Sequence, residues 1–385
     1  MKVNQVKDLV NSAVKQVTGV SALLKDDLSN VVDVGNELID TDNVDNYVKK
    51  LVDRIGQVTF NNRVYEGKAP SVLMSSWEYG SILEKIDTEL PTAEDNPAWE
   101  LQDGQTYDPN KFYQAKVSAK FYNSKQSFNI PLSFTQTQVK ESFANATQLN
   151  SFVSMLETSV TNAMTVNLDE LIMKTINNFT GSVLNGTNAM QKVNLLKLYN
   201  AKVANPITAD KALTNSDFIK FANLFINTTR DRLTKISTLF NAGKKNRFTP
   251  LANQHLILLS DLASASKVYL ESNTYHDSNV QLDSYETVPF WQGSGTDYSF
   301  NSTSAIDVAI KDSAGSKEVK QTGILGVLFD SQALGVACTN QHTTTAQNPL
   351  GEFYTNFNKF DGMYFNDLNE NFVVFYIADT TQETH

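Results

Sequence analysis

Apolar residues recur at spacings of three and four from the start of the chain. Val3, Val6, Leu9, Val10, Val14 and Val17 predict an amphipathic helix. Two shorter patterns of the same period follow, LLKDDLSNVVDV at 23–34 and VDNYVKKLVDRI at 44–55. Their apolar stripes are too narrow to form a core alone. Residues 1–50 therefore read as an arm of small helices, dispensable for folding of the body and in need of a partner surface. From Val58 the period changes to alternation, with VTFNNRVYEGKA turning on Asn-Asn. Residues 91–111 are rich in Pro, Gly, Asp and Asn. FYQAKVSAKFYNSKQSFNIPLSF then alternates strongly on both sides of Asn123-Ser124-Lys125. Residues 80–126 thus predict a long arm that runs out to a 91–111 tip and back, a length that suggests function.

Helical period returns at Thr135–Phe143 and is strongest over 149–179. Leu149, Phe152, Val153, Leu156, Val160, Met164, Leu168, Leu171, Ile172, Ile176 and Phe179 trace one stripe, with Gly181 as the expected stop. At 1.5 Å per residue such a helix is about 45 Å long. Asn215-Ser216-Asp217 caps the helical run FIKFANLFINTTRDRLTKISTLF. HLILLS at 255–260 reads as a buried strand followed by the helical DLASASKVYL, and 272–304 as loop. ILGVLFDSQALGVA reads as strand, turn and strand. Near the end, Asp367–Asn371 supplies turn chemistry before FVVFYI at 372–377. Termini fray unless they are tied down, so FVVFYI predicts a strand closing a sheet laid down earlier.

The chain has 385 residues, a net charge of -10, and only 19% charged residues. Nucleic-acid binders concentrate Lys and Arg in patches. The one tight basic cluster here, Gly243-Lys244-Lys245-Asn246-Arg247, reads as a solvated loop. The single cysteine, Cys338, excludes a disulfide framework and a cysteine cage. No signal peptide or membrane span is discernible. The pattern is that of a soluble protein made in a reducing cytoplasm.

Candidate chemistry is sparse. His255, His276, His342 and His385 have no partners at ligand spacing. Cys338 and His342 lie four apart in an expected loop, a spacing that does not by itself make a nucleophilic pair. Phosphate-loop, dinucleotide and nucleophile-elbow motifs are absent. Asp87, Glu89, Glu94 and Asp95 read as a solvated acidic tip. The expectation is no enzyme, no cofactor and no metal. Trp77, Pro97, Trp99, Leu101 and Tyr107 are candidate interface residues, because aromatic anchors dominate interface energetics.

The order of elements resembles the tailed-bacteriophage major capsid protein of the HK97 fold, an α+β architecture. The resemblance is carried by FNIPLSFTQTQVKESF leading into the 149–179 helix, by HLILLSDLASASKVYL, and by the stretch from GILGVLFDSQALGVACTNQ to NENFVVF. That last stretch looks especially like capsid proteins of small podoviruses of Gram-positive hosts. The resemblance implies an N-terminal arm at 1–55 and a peripheral domain at 56–184, with an extended E-loop (80–126) and a spine helix (149–179). It further implies an axial domain at 185–335 and a return to the peripheral domain at 336–385, where FVVFYI would close a sheet begun near Val58. It implies a virion subunit made in the host bacterial cytoplasm that builds an icosahedral or prolate shell from hexamers and pentamers. A scaffolding protein, a portal protein and DNA enclosed without sequence-specific binding are the implied partners, and no membrane. The E-loop is expected to pack on a neighbouring subunit and not on its own core. Some members of the fold cross-link through Lys and Asn side chains. Lys85, Lys111 and Lys116 lie in or near the arm, but no glutamate partner is identifiable, so that activity is not carried over. A virion tail or surface-binding structural protein is the alternative reading.

Overall fold

The computed structural model describes residues 3–18, 23–25, 28–40, 45–51, 69–74, 83–91, 93–95, 102–104, 106, 110, 112–271, 282, 284–291, 304–312 and 315–379. The chain begins with α1 (Val3–Thr18), α2 (Val31–Asp40) and α3 (45–51), followed by β1 (Leu83–Thr88), β2 (Val117–Tyr122) and β3 (Lys125–Thr135). Next come α4 (Gln136–Ser142), α5 (Ala146–Asn185), β4 (Lys192–Asn194), α6 (Leu195–Asn200), α7 (Ala209–Ala212) and α8 (Ser216–Leu233). The remainder is β5 (Gln254–Leu259), α9 (Ser260–Glu271), β6 (Glu286–Val288), β7 (Ile306–Asp312), β8 (Gly315–Gln321), β9 (Ile324–Asp330), β10 (Leu334–Asn348), β11 (Phe353–Asn366) and β12 (Phe372–Tyr376). Two compact units result. The first holds 1–77, 125–172 and 336–363; the second holds 78–124, 173–335 and 364–385.

The first unit is a three-stranded sheet, ordered β10-β11-β3, against the first part of α5. β3 alternates strictly, and Phe128, Ile130 and Leu132 join Phe360 of β11 over Val160 and Met164 of the helix. Thr135 caps α4 through a reciprocal box with Gln138, as S/T-x-x-Q sequences favour. The N-terminal helices correct an expectation here. Their stripes do need a partner surface, but their own unit provides it. Leu9, Val10, Val14, Leu28, Val31 and Tyr47 are buried in one cluster with Phe143, Leu149, Phe152 and Tyr354. The Tyr354 hydroxyl also donates to Asp45. Segments that share a buried cluster with the body are expected to add to its stability.

The second unit is built on a five-stranded sheet, ordered β4-β12-β9-β5-β6. β12 pairs antiparallel with β9 and parallel with β4. FVVFYI is thus a tied-down strand, in a sheet whose other described strands come from 192–330; the neighbourhood of Val58 lies outside the described residues. Every residue of β9 and β12 is buried, which accounts for their continuous apolar runs. α8 begins at its Asn215 cap, whose side chain accepts from Phe218 N at 2.9 Å. It ends at Leu233, well before the helical pattern in the sequence does.

α5 is 40 residues long, about 60 Å by its rise, and runs past Gly181. A Cβ at Gly181 would lie 2.3 Å from Val308 Cγ2, so this glycine admits strand β7 rather than stopping the helix. From Leu171 onward burial spreads around the helix, leaving Lys174 as its exposed position. Cys338 and His342 both lie on β10, not in a loop. Cys338 packs in the cluster of Val160 and Phe360, while His342 is exposed.

Leu9→Ala is expected to destabilise the unassembled subunit about as much as Leu149→Ala, roughly 2–5 kcal/mol each. Denaturant unfolding checks this. An arm that served only other copies would leave the Leu9 variant's midpoint unchanged.

Candidate assembly site: the hairpin and its anchor

β1 and β2 form an antiparallel hairpin in which Lys85 faces Lys120 and Ile86 faces Ala119. Strand alternation gives it two faces of different chemistry. Leu83, Lys85, Asp87, Lys120 and Tyr122 are half-buried on one. On the other, Ile86, Val117 and Phe121 are 64%, 60% and 63% exposed. Farther out, Phe112 and Tyr113 are also exposed, and the Tyr113 hydroxyl donates to Glu94 at 2.8 Å.

The inner face is held by charge. Lys85 and Lys120 stand opposite one another, a destabilising pairing on its own. Asp367 sits between them, 2.9 Å from Lys85 Nζ and 3.0 Å from Lys120 Nζ. Glu370 Oε1 lies 2.6 Å from Lys85 Nζ and 3.1 Å from Arg247 Nε. Arg247 Nη2 reaches Asp87 Oδ1 at 2.8 Å, and Lys245 reaches Glu89 Oε1 at 2.7 Å. The cations and carboxylates of this row balance. Asp367 is only 2% exposed. Burial pushes its carboxyl up, but the hydrogen bonds from Lys85 and Lys120 outweigh burial and hold it at about 2. Burial likewise opposes the charge on Arg247, yet Asp87 and Glu370 raise its pKa. The hydrogen bond from Lys245 lowers that of Glu89.

Local backbone chemistry positions these groups. The predicted turn at Asp367–Asn371 is real, with Asn369 N donating to Asp367 Oδ1 at 3.1 Å. The 241–247 loop lies directly on that turn. Ala242 N donates to Leu368 O at 3.0 Å, and a Cβ at Gly243 would lie 2.1 Å from Asn369 Oδ1. Asn241 clasps the loop through both backbone groups of Lys245, at 2.7 and 2.8 Å. Ser237 and Arg247 exchange backbone hydrogen bonds of 2.9 Å.

Two expectations are corrected by this geometry. Lys245 and Arg247 do not form a merely solvated loop, and Asp87 and Glu89 do not belong to a solvated tip. One face of the 80–126 arm docks on its own unit, because burying that face brings each charge a partner. The candidate interface residues Trp77, Pro97, Trp99, Leu101 and Tyr107 lie outside the described residues, as do Lys111, His276 and His385. Sequence reasoning missed Lys85, Asp367, Glu370 and Arg247 as a set. A signal existed only on the strand, where Lys85, Asp87 and Glu89 alternate with Ile86 and Thr88.

The arrangement is a clamp in which each carboxylate is met by a cation. His255 sits elsewhere, its ring 5.7 Å from that of Phe329 and its pKa lowered by burial. Among the described residues no group of three His, Cys, Asp or Glu is placed to hold a metal, and no helix is long and apolar enough to cross a membrane.

The family profile of the Phi29-like phage major capsid protein matches residues 6–376. The chain belongs to that family. Among solved structures it is similar to a chain in the capsid of Staphylococcus phage Andhra, with 10% identity, a TM-score of 0.55, and 82% of this chain and 86% of that one covered. It is also similar to a chain in the structure of the head fibre and inner core protein of native bacteriophage P68, with 8% identity, a TM-score of 0.50, and coverages of 82% and 86%. Comparison with curated protein sequences gives no match. The fold is the mixed α+β fold of HK97-type phage capsids. The subunit is a major capsid protein, a shell-forming component of the virion.

In this capsid protein, Asp367→Asn should free the hairpin from its anchor. Lys85 keeps Glu370 and Lys120 is 41% exposed, so the loss of the carboxylate should cost about 1 kcal/mol, the upper end for a solvent-accessible ion pair. Faster hydrogen exchange at amides 83–88 and 117–122 would report it. Because the Asp367 pKa is depressed, its contribution is complete above the ordinary Asp range near pH 4. It drains away as pH falls towards 2, and the wild-type hairpin should loosen over that window.

Proposed function

We propose that the subunit builds closed hexamers and pentamers by laying the apolar outer face of the β1–β2 hairpin on a neighbouring copy. One observation carries this reading: Ile86, Val117 and Phe121 stand exposed on a ribbon whose other face is committed to its own unit. Two-faced ribbons of this kind suit rings, because a single patch repeats around closed symmetry. The hairpin would be the E-loop. The sheet of β3, β10 and β11 with the first part of α5 would be the peripheral domain, with the N-terminal helices against it. The five-stranded sheet with α6 to α9 would be the axial domain.

The role is structural, with no catalytic step. A net charge of -10 suits a wall that encloses DNA without sequence-specific binding and without adhesion. A scaffolding protein and a portal protein would assist assembly in the host bacterial cytoplasm.

The combined variant Ile86→Ser with Phe121→Ser tests the reading. Exposed positions change stability by no more than about 0.5 kcal/mol, so the unassembled subunit should melt like wild type. Electron microscopy of purified material should show shells from wild type and none from the variant. Normal shells from the variant would sink the hairpin's role.

A further inference from the structure

A cavity of about 770 Å³ opens within the second unit, beside β4. Its chemistry runs against that of the chain as a whole. Five cationic side chains line it and only one carboxylate, Glu318, in a protein of net charge -10. Glu318 lies 3.8 Å from Lys320, which also pairs with Asp307 at 3.0 Å. Lys192, Arg232 and Lys317 have no carboxylate partner among the described residues. Arg232 and Lys317 are exposed. Phe225 and Phe240 also line the cavity, as does Leu198, which is 37% exposed.

Apolar and basic lining in one cavity does not suit a duplex, which would use the cations for its phosphates and leave the apolar side chains unmet. It suits a peptide segment that carries carboxylates beside large apolar side chains. The cavity is also lined by β4, the terminal strand of its sheet among the described residues, and by β8, whose one described partner is β7. Strands with a free edge accept an extended segment by adding backbone hydrogen bonds.

The chain itself contains a segment of that chemistry. Residues 91–110 hold Glu94, Asp95, Glu100, Asp103 and Asp108 and no Lys or Arg, with Trp99 and Leu101 among them. Among the described residues none from 83–116 lines the cavity in a single copy, and the described tip residues 93–95 and 102–104 are exposed. We propose that the cavity beside β4 receives the acidic hairpin tip, 91–110, of a second copy of the chain. The proposal deepens the shell-building reading above and rests on it: the outer face of the hairpin would lie along the neighbour, and its tip would end in this basic seat.

Charge exchange in the full chain tests it. Arg232→Glu with Lys317→Glu reverses the seat, and Glu100→Lys with Asp103→Lys reverses the tip. Each pair should cut shell yield by about tenfold or more, since like charges meeting at an interface cost several kcal/mol. All four changes together should restore yield to within about threefold of wild type, because the complementarity is re-formed with opposite signs. The milder Arg232→Gln with Lys317→Gln should lower yield in the same direction. It carries the test if the reversed seat fails to fold, as judged by melting.

In a Cys338→Ala background, Lys317→Cys with Asp103→Cys should oxidise to a ladder of linked subunits on a denaturing gel. An intrachain loop alone would overturn the assignment to a second copy. Normal shells from the seat variants would overturn the proposal, and so would two defective pairs with no rescue. That last pattern would assign the seat to nucleic acid or to another protein. None of these results depends on Ile86 and Phe121, so failure of the seat and failure of the hairpin reading are told apart.

Discussion

Burial along one continuous helix is the constraint on which the rest of the subunit depends. α5 has no charged residue at a buried position, and both hydrophobic clusters of the first unit draw on it. Its first turns present a stripe of period 3.6 to the N-terminal helices and to β3 and β11. Beyond Leu171 it is buried on nearly all sides, and Phe179 stacks on Phe372 with ring centroids 4.1 Å apart. A helix that is apolar all round must be enclosed. Enclosure here takes the last strand of the chain, β12, and the close approach of β7 at Gly181. The N-terminal helices and β12 are therefore held in place by the spine's need for cover.

Charge plays a different part. With few charged residues in total, the subunit spends several of them on fastening the hairpin rather than on solvation. A buried carboxylate such as Asp367 costs desolvation and is tolerable only when cations meet it closely. Lys85 and Lys120 do so, and they in turn could not stand opposite each other without it. The pairing is thus mutual: the ribbon is stable in its register because the turn at 367–371 supplies acid at that point. Such an arrangement gives geometric specificity more than net stability. It fixes which face of the hairpin turns inward and so which apolar face remains for a neighbour.

The sequence by itself determined the local elements. Period 3.6 predicted α1, α5 and the start of α8, and alternation predicted β2 and β3. The turn chemistry of Asp367–Asn371 and the cap at Asn215 were equally readable, because each is set by residues within a few positions of one another. The order of these elements was enough to point to a capsid fold. Tertiary structure alone decided which sheet β12 joins, why Gly181 is a glycine, and where α8 ends. It also decided that the arm's stripes are covered within their own unit, and that Lys85, Asp87, Arg247, Asp367 and Glu370 form one cluster. The physical reason is separation along the chain. A carboxylate at 367 and a lysine at 85 carry no mark of each other in composition or spacing. Only burial, which makes an unpaired charge intolerable, brings them together.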